Sequence, residues 1–480
     1  MNWTTITALI YLLILIVVCL RIIYETKSTT KSMAYLLLAI FLPVAGIIFY
    51  VTFGVNYWKI KLYNKKQVED SELWEALKKE AGVFTEKNTA GDLATANNKE
   101  LANMLVKESH SPLTRNNRVT LLINGEEKFP EVISALNSAR HHIHIEYYIF
   151  EQDKIGVQLV EILIRKAQEG VQVRFIYDDF GSPSIKRKTE QRMKDVGIEV
   201  QPFHKVVFYL LANRLNYRNH RKIIIIDGQT AFTGGINVSD KYINDSPGNL
   251  FWRDTHLRID GPGVFYLQYL FLSDWNFCCG KILQPDKLHF TDLPKTTGEA
   301  YVQIAASGPD SLQPSILFSL LQAIYLARKE ILITTPYFIP GDSILEALRI
   351  AALSGLSVKL LVPGVSDLKL VNAASRSYYE DLLIAGVEIY QYRKGFVHAK
   401  TLVTDGILSV IGTSNMDYRS FEFNFEVNVL VYDQEVSEKL RTVFFKDLED
   451  AEPIDKEMWC KRSAFKQLPE KIARLFSPVL

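Results

Sequence analysis

The chain opens with two long apolar runs that contain no charged side chain. The first covers Met1–Leu20 and the second Ser32–Trp58. At 1.5 Å per helical residue they reach about 30 Å and about 40 Å, enough to cross the hydrocarbon core of a bilayer. We therefore predict two transmembrane helices in residues 1–60, at about 4–23 and 33–55. A cleaved signal peptide is the alternative for the first run, and a buried core helix for the second.

Basic residues beside these runs predict the orientation. Arg21, Lys27 and Lys31 lie between the runs, and a larger group of lysines follows the second run, at positions 59, 61, 65, 66, 78 and 79. Cytoplasmic flanks of membrane spans are enriched in lysine and arginine. The pattern predicts a multi-pass protein with a cytoplasmic C-terminal body. The polar residues 61–116 are expected to form a linker or membrane-proximal segment.

From residue 119 onward, apolar strands alternate with helical patterns. Strand-like runs at 119–123, 142–150, 171–179 and 198–203 are separated by amphipathic segments, and the rhythm returns at 330–339, 356–364 and 387–392. Such alternation is typical of α/β layers around a buried sheet. It predicts an α/β fold with two similar domains, 117–300 and 301–480.

Composition narrows the classes of function. The chain has 55 Lys+Arg and 54 Asp+Glu, for a net charge of +1, so no overall positive field attracts nucleic acid. Apolar residues make up 48% and charged residues 23%, as in ordinary globular proteins. The four cysteines have neither the spacing of a zinc site nor that of a disulfide framework. We expect no nucleic-acid partner and no metal, and the sequence leaves the oligomeric state open.

A duplicated motif supplies the candidate chemistry. Two copies of the pattern HxKxxxxD, each followed seven residues later by Gly-x-x-Asn, lie 178 residues apart. The matched positions are His220, Lys222, Asp227 and Asn237 in the first copy, and His398, Lys400, Asp405 and Asn415 in the second. A chance second copy with every offset identical is very improbable.

The spacing indicates phosphoryl chemistry. Residues i and i+2 of a strand share a face, so each histidine is expected to point into a pocket together with its lysine. Lysine and asparagine can bind phosphoryl oxygens, and two converging lysines make a metal unnecessary. One imidazole can attack phosphorus while the other protonates the leaving oxygen. The residues alone do not decide which histidine does which.

The repeated motif resembles that of the phospholipase D superfamily. Two N-terminal spans ahead of such a duplicated body look like the bacterial cardiolipin synthases of that superfamily. Supporting segments are 145–150, 176–182, 216–228, 251–256, 335–342, 396–406 and 412–426. The other type of cardiolipin synthase, a CDP-alcohol phosphotransferase, carries an Asp-Gly-x-x-Ala-Arg signature, which this sequence lacks.

The resemblance implies two tandem phospholipase D-like α/β/α lobes that share one active site. It also implies a phosphohistidine intermediate formed without cofactor or metal, with His220 as the nucleophile and His398 as the general acid and base. Asp254 and Glu426, which follow the two motifs, are expected to orient the histidines. Asp227 and Asp405 belong to the catalytic motif, although their position at a strand end favours a role in holding the backbone.

The implied activity is that of a cardiolipin synthase at the cell membrane. Such an enzyme transfers a phosphatidyl group from one phosphatidylglycerol to another and releases glycerol. The implied partners are phosphatidylglycerol, other membrane lipids and the bilayer. The alternative is a membrane-bound phospholipase D, which would hydrolyse phospholipids to phosphatidic acid with the same residues.

Overall fold

The structure is a computed structural model of the chain. It describes residues 3–26, 29–53, 63, 66–77, 97–185, 187–203, 217–245, 250–280, 283 and 298–479. The chain divides into two compact units, of which the smaller comprises Met1–Val68 with residues 207–216 and the larger contains the remainder.

The N-terminal unit begins with one long apolar helix, α1 (Trp3–Glu25). Its segment Thr5–Glu25 is long and apolar enough to cross a membrane by length and composition, as the sequence predicts for the first run. Within the described residues it is the sole helix that meets both conditions.

The second predicted span is not a single helix. The described part of this span falls instead into α2 (Thr29–Phe41) and α3 (Pro43–Phe53), which fold back on each other so that the rings of Tyr35 and Tyr50 lie 5.5 Å apart. The break has a local cause, because Pro43 lacks an N–H and disfavours helical geometry at the preceding residue. Gly46 permits the close approach, since a Cβ there would lie 2.1 Å from the Leu38 carbonyl oxygen.

The larger unit is built on one sheet of fifteen strands. Its strand order is β19-β13-β12-β10-β15-β16-β18-β9-β1-β8-β6-β5-β2-β3-β4. The strands of the first half are β1 (Thr114–Ile123), β2 (His142–Tyr147), β3 (Gln172–Asp178), β4 (Glu199–Phe203), β5 (Lys222–Ile226), β6 (Thr230–Gly234), β7 (Phe251–Arg253) and β8 (Thr255–Asp260). Those of the second half are β9 (Ala300–Ser307), β10 (Glu330–Thr334), β11 (Phe338–Ile339), β12 (Ser357–Pro363), β13 (Glu388–Tyr392), β14 (Gly395–Val397), β15 (Thr401–Thr404), β16 (Leu408–Gly412), β17 (Met416–Asp417), β18 (Glu426–Tyr432) and β19 (Ala451–Pro453).

The helices cover both faces of this sheet. They are α4 (Lys99–Ser109), α5 (Asn124–Ser138), α6 (Lys154–Gln168), α7 (Arg187–Asp195), α8 (Val264–Cys279), α9 (Ser315–Leu326), α10 (Gly341–Leu353), α11 (Lys369–Arg376), α12 (Tyr379–Ala385), α13 (Tyr418–Glu422), α14 (Gln434–Glu449), α15 (Lys456–Cys460) and α16 (Ala464–Arg474). Short 3-10 turns lie at Asp240–Tyr242 and Ser477–Val479.

Strand alternation explains the layers. On β2, Ile143 and Ile145 enter the core shared with α5 and α6, whereas the intervening His144 stacks at 4.4 Å on Phe271 of α8, on the opposite face. The central strand β5 is buried along its whole length, and its isoleucine run suits a strand covered on both faces. The tandem α/β architecture predicted from the sequence is therefore present.

The two halves share one sheet and repeat one topology. In each half, the first strand is followed across the sheet by four strands, each antiparallel to the one before it. Two further strands follow, each parallel to the one before it. Strands β1 and β9 join the halves as an antiparallel pair. A buried salt bridge between Arg253 Nε of the first half and Asp447 Oδ1 of the second, at 2.8 Å, adds a further link.

Part of the predicted linker belongs to the folded body. Helix α4 buries Leu101 and Leu105 against Ile316 and Leu320 of the second half. Residues 99–109 thus do not form a free linker, because the apolar side of this helix covers the core of the second half. Residues 78–96 of that segment lie outside the described residues.

The two motif aspartates fasten the strand ends to the preceding turns. Asp405 carries a left-handed φ of 55° and accepts N–H groups from Arg328, Lys329 and Glu330 at 2.8, 2.7 and 3.0 Å. Asp227, with φ 53°, accepts the N–H groups of residues 140, 141 and 142 in the same manner. Each carboxylate therefore accepts hydrogen bonds from three backbone N–H groups that would otherwise need separate acceptors.

This arrangement predicts that Asp405→Ala destabilises the body by about 2–4 kcal/mol. Three backbone donors lose their acceptor and alanine is strained at positive φ. Urea unfolding of the purified protein in detergent measures the change. Asp405→Asn keeps one acceptor oxygen and tolerates this φ, so it should lose clearly less stability, and the exposed Glu449→Ala is the surface control. If Asp405→Asn is fully stable but inactive, the carboxylate has a direct role in the chemistry instead.

Candidate active site

The backbone around each motif histidine crosses to the other half. The His220 N–H donates to the Phe425 carbonyl at 2.9 Å, and the His398 N–H donates to the Arg253 carbonyl at 2.7 Å. Near the second contact, β7 and β14 form a short parallel pair between the halves. Both acceptors directly precede a candidate acidic residue, so these bonds set the register between a histidine of one half and a carboxylate of the other.

The side chains repeat this crossed arrangement. His220 Nδ1 lies 3.0 Å from Glu426 Oε1, and His398 Nδ1 lies 2.7 Å from Asp254 Oδ2. Both carboxylates are fully buried. A carboxylate at this distance fixes the proton on Nδ1, which leaves Nε2 with the free lone pair. Each histidine is therefore oriented by the acid of the opposite half, a pairing that the sequence did not reveal.

The motif lysines are buried beside their own histidines. Lys222 Nζ donates to the His220 carbonyl at 2.9 Å, and Lys400 Nζ lies 3.0 Å from His398 Nδ1 and also contacts the His398 carbonyl. Each lysine therefore lies beside the histidine of its own motif, although neither lysine is among the described residues that line the cavity with the two histidines. Lys222 is the first residue of β5, and Lys400 directly precedes β15, so neither lysine lies in the middle of a strand.

The two asparagines also reach the site. Asn237 and Asn415 line the same cavity as the two histidines. Asn237 Nδ2 donates to the Tyr242 hydroxyl at 2.7 Å, and Asn415 Nδ2 donates to Asp417 Oδ2 at 3.1 Å. These bonds hold the amides at the cavity wall.

Asp227 and Asp405 differ from the other predicted catalytic residues. Their carboxylates are engaged by the backbone of the turns before β2 and β10, and neither is among the described residues that line the cavity. Three backbone donors occupy each carboxylate, so the structure supports a role for both aspartates in holding the backbone and not the predicted direct part in catalysis.

One cavity of about 690 Å³ joins the two halves. Its wall combines aromatic, basic and amide side chains with the two histidines. Among the described residues, the wall includes Tyr148, Phe180, Arg218, Lys241, Tyr242, Trp252, Tyr337, Asp367 and Arg419. The volume fits a headgroup region larger than a single phosphate, and the apolar rings suit the glycerol and acyl ester portions of a lipid.

Burial lowers the basicity of the cationic groups. Desolvation lowers the pKa of Lys222 to about 7 and that of Lys400 to about 8, although nearby carboxylates oppose the shift. Burial also lowers the pKa of His220 and, together with the charge of Lys400, that of His398. Both imidazoles are consequently neutral near pH 7 before an anionic substrate arrives.

The carboxylates stay ionised despite their burial. Desolvation raises the pKa of Asp254, but Lys400 and His398 outweigh it and the pKa is lowered. Burial likewise raises the pKa of Glu426, and the contacts with His220 and the neighbouring cations lower it below its usual value. The site therefore holds two carboxylates that can stabilise a positive charge on either histidine.

The two halves differ in how they hold these acids. A Cβ at Gly235 would lie 2.0 Å from Asp254 Oδ1, so only glycine leaves room for that carboxylate. The equivalent position of the second half is Thr413, whose hydroxyl donates to Glu426 Oε2 at 2.5 Å. The duplicated site is thus asymmetric around its two histidines.

Sequence reasoning missed the cavity residues outside the motifs. Lys241 and Arg419 lie 178 residues apart and both line the cavity, so the repeat offset already present in the sequence would have found them. Tyr148 and Tyr337 also belong to the wall. Arg218, Trp252 and Tyr242 carry no comparable signal.

Family comparison agrees with the geometry. The family described as "Cardiolipin synthase, PLD-like domain" matches residues 132–254 and 320–448, one segment in each half. The family described as "Phospholipase_D-nuclease N-terminal" matches residues 7–54.

Curated relatives match over nearly the whole chain. A cardiolipin synthase of a Geobacillus species is 41% identical over 95% of this chain and 90% of its own length. The major cardiolipin synthase ClsA of Bacillus subtilis is 38% identical over 98% of both chains. Among solved structures, a phosphatidylserine synthase of Haemophilus influenzae superposes with a TM-score of 0.61, covers 79% of this chain and 100% of its own, and is 12% identical, which establishes likeness of fold. The protein belongs to the cardiolipin synthases of the phospholipase D superfamily and is a phosphatidyltransferase.

Proposed function

We propose that the protein joins two phosphatidylglycerol molecules into cardiolipin and releases glycerol. The observation that carries this proposal is the pair of histidines at one cavity, each hydrogen-bonded to a buried carboxylate of the other half. The names of its relatives point to the same product.

The first step is attack on the donor lipid. The Nε2 lone pair of His220 forms a bond to phosphorus, and the bond from phosphorus to the glycerol oxygen breaks. His398 supplies the proton that the leaving oxygen needs. Assignment of the nucleophile to His220 follows the superfamily resemblance, and Glu426 then stabilises the positive charge that develops on that imidazole.

The second step reverses these roles with a new alcohol. A glycerol hydroxyl of the second phosphatidylglycerol attacks phosphorus, His398 takes its proton, and the bond between phosphorus and His220 breaks. A neutral imidazole suits His220 as the nucleophile. His398 must instead gain a proton before it can act as the acid. An incoming phosphodiester supplies negative charge that raises the pKa of His398 and of both motif lysines.

Charge stabilisation falls to the lysines and asparagines. At about 4 Å and an effective dielectric near 20, each lysine contributes about 4 kcal/mol of attraction to a phosphate oxygen. Asn237 and Asn415 add amide donors. In this scheme Asp227 and Asp405 act on the backbone, and Asp254 and Glu426 orient the histidines.

We also propose limits for the two domains of the body. We place the first phospholipase D-like domain at 117–300 and the second at 301–480. Support comes from the sheet, where the repeat restarts at β9, and from the two matched family segments. Strand β1 begins at Thr114, close to the first limit.

We also propose that the protein is multi-pass with a cytoplasmic body. A hairpin of α2 and α3 would place its turn at Leu42 inside hydrocarbon, where a lipid-exposed break in helical structure is disfavoured. Leu42 and Phe41 are exposed, so no other part of the described unit covers the turn. The same uncharged residues can cross as one helix kinked at Pro43. The lysines after residue 58 favour the cytoplasmic side for the body.

The reaction predicts the products from pure phosphatidylglycerol vesicles. The purified protein should form cardiolipin and glycerol in equal amounts, resolved by lipid chromatography and a glycerol assay. His220→Ala, which lacks the nucleophile, is the inactive control. Phosphatidic acid as the main product would instead identify a hydrolase that uses water as the acceptor.

The assigned roles predict different defects for the two histidines. With a p-nitrophenyl phosphatidyl ester, whose leaving group needs no protonation, His398→Ala should still form the covalent adduct, whereas His220→Ala should form none. General acid help is worth about 10²–10⁴-fold, so the natural substrate should show the larger defect in His398→Ala. Mass spectrometry of trapped protein locates the adduct. A wild-type adduct on His398 would exchange the two roles.

The two-span arrangement predicts the accessibility of single cysteines. With the native cysteines replaced by serine, Thr26→Cys should react with an impermeant thiol reagent in intact cells, and Thr5→Cys should be protected. In a separate variant that keeps Cys460 as its single cysteine, this thiol should react with the reagent only after the cells are lysed. A hairpin that enters and leaves on one side, with the body cytoplasmic, would reverse the results at positions 5 and 26.

A further inference from the structure

The cavity contains a cation that the motif chemistry leaves unused. Lys241 lies in the 3-10 turn Asp240–Tyr242, four residues after Asn237, where the motif segment ends. Its Nζ is 4.5 Å from the centroid of the Trp252 ring and 5.2 Å from that of Tyr242. The two rings hold the ammonium at a defined part of the cavity wall.

That part of the wall is the His398 end. The rings of Trp252 and Tyr242 lie 5.6 Å and 6.1 Å from the His398 ring. At the other end, Tyr148 lies 4.7 Å from the His220 ring. The cavity therefore has two chemically distinct ends, and Lys241 belongs to the end of the proposed acid and base.

Lys241 is not neutralised by a close carboxylate. Among the described residues no carboxylate oxygen lies within 4.0 Å of its Nζ, although Glu151, Asp367 and Asp254 act on it from farther away. Asp367 accepts the Tyr337 hydroxyl at 2.7 Å. Lys222 and Lys400, by contrast, are buried and bound to the carbonyls of their own histidines. Lys241 is exposed to the cavity and available to a ligand.

The geometry of transfer brings a second negative charge to this end. The leaving glycerol departs opposite to the nucleophile, toward His398, and the accepting hydroxyl must enter along the same path. Unlike water or glycerol, an accepting phosphatidylglycerol carries its own phosphodiester one glycerol unit away from that hydroxyl. In the proposed reaction the motif lysines serve the phosphate under attack, so the second phosphate needs another cation.

We propose that Lys241 binds the phosphate of the acceptor lipid and thereby selects phosphatidylglycerol over water as the acceptor. The proposal rests on the transferase reaction above and on His398 as its acid and base. Lys241 is then a specificity-determining residue of the second step. The equivalent Arg419 of the other half also lines the cavity and acts electrostatically on Tyr148, which lies beside the His220 ring.

The test separates the two steps of the reaction. Lys241→Gln removes the charge, Lys241→Arg keeps it, and Lys154→Gln removes a charge from an exposed lysine at the start of α6, outside the described cavity lining. In mixed micelles a p-nitrophenyl phosphatidyl ester serves as the donor. The initial burst of p-nitrophenol reports adduct formation, and phosphatidylglycerol or free glycerol is titrated as the acceptor.

We expect Lys241→Gln to raise the apparent KM for accepting phosphatidylglycerol about ten- to a hundredfold, as for loss of one charged hydrogen bond. The product should shift from cardiolipin toward phosphatidic acid. The p-nitrophenol burst and transfer to glycerol, which has no phosphate, should stay within about twofold. Lys241→Arg and Lys154→Gln should behave like the wild type.

Two results would overturn the inference. One is an unchanged KM for phosphatidylglycerol in Lys241→Gln, and the other is a parallel loss of the burst and of both acceptors, which indicates general damage to the site. If Arg419→Gln shifts the product and Lys241→Gln does not, the acceptor enters from the His220 end. A wild type that forms no cardiolipin rejects the transferase itself, whereas a wild type that forms it with an unaffected Lys241→Gln rejects only the acceptor subsite.

Discussion

The site depends on the crossed pairing of each histidine with a carboxylate of the opposite half. Glu426 fixes the tautomer of His220 and Asp254 that of His398. Because neither half contains both members of a pair, neither can form an oriented imidazole by itself. The shared sheet, the β7–β14 pair and the Arg253–Asp447 salt bridge all hold the halves in the register that these two bonds require.

Burying these charged and titratable groups costs free energy, and the same desolvation shifts the pKa values on which the proposed chemistry depends. Two lysines, two carboxylates and His398 are buried, and the His220 side chain is only 14% exposed. Desolvation lowers the pKa of the lysines and histidines, while the mutual attraction keeps the carboxylates ionised. An arriving phosphodiester supplies the missing negative charge, so its binding favours the protonated cations that its transition state needs.

Duplication created two equivalent halves, and small differences make them unequal. Gly235 leaves space for a short aspartate, whereas Thr413 donates to a longer glutamate. Lysine and arginine occupy equivalent cavity positions at 241 and 419. In the proposed transfer, these differences give the donor and the acceptor two unlike ends of the cavity without a change of fold.

The sequence by itself determined the tandem α/β architecture, the two motifs and the histidines and asparagines that line the cavity, because strand periodicity and repeat spacing are local properties. It also identified α1 as a membrane-spanning candidate. Only the tertiary structure decided that each acid serves the histidine of the other half, that residues 99–109 cover the second core, and that Lys241 lies beside Trp252. These contacts join residues far apart in the chain, and their geometry follows from sheet register and helix packing, which no local pattern encodes.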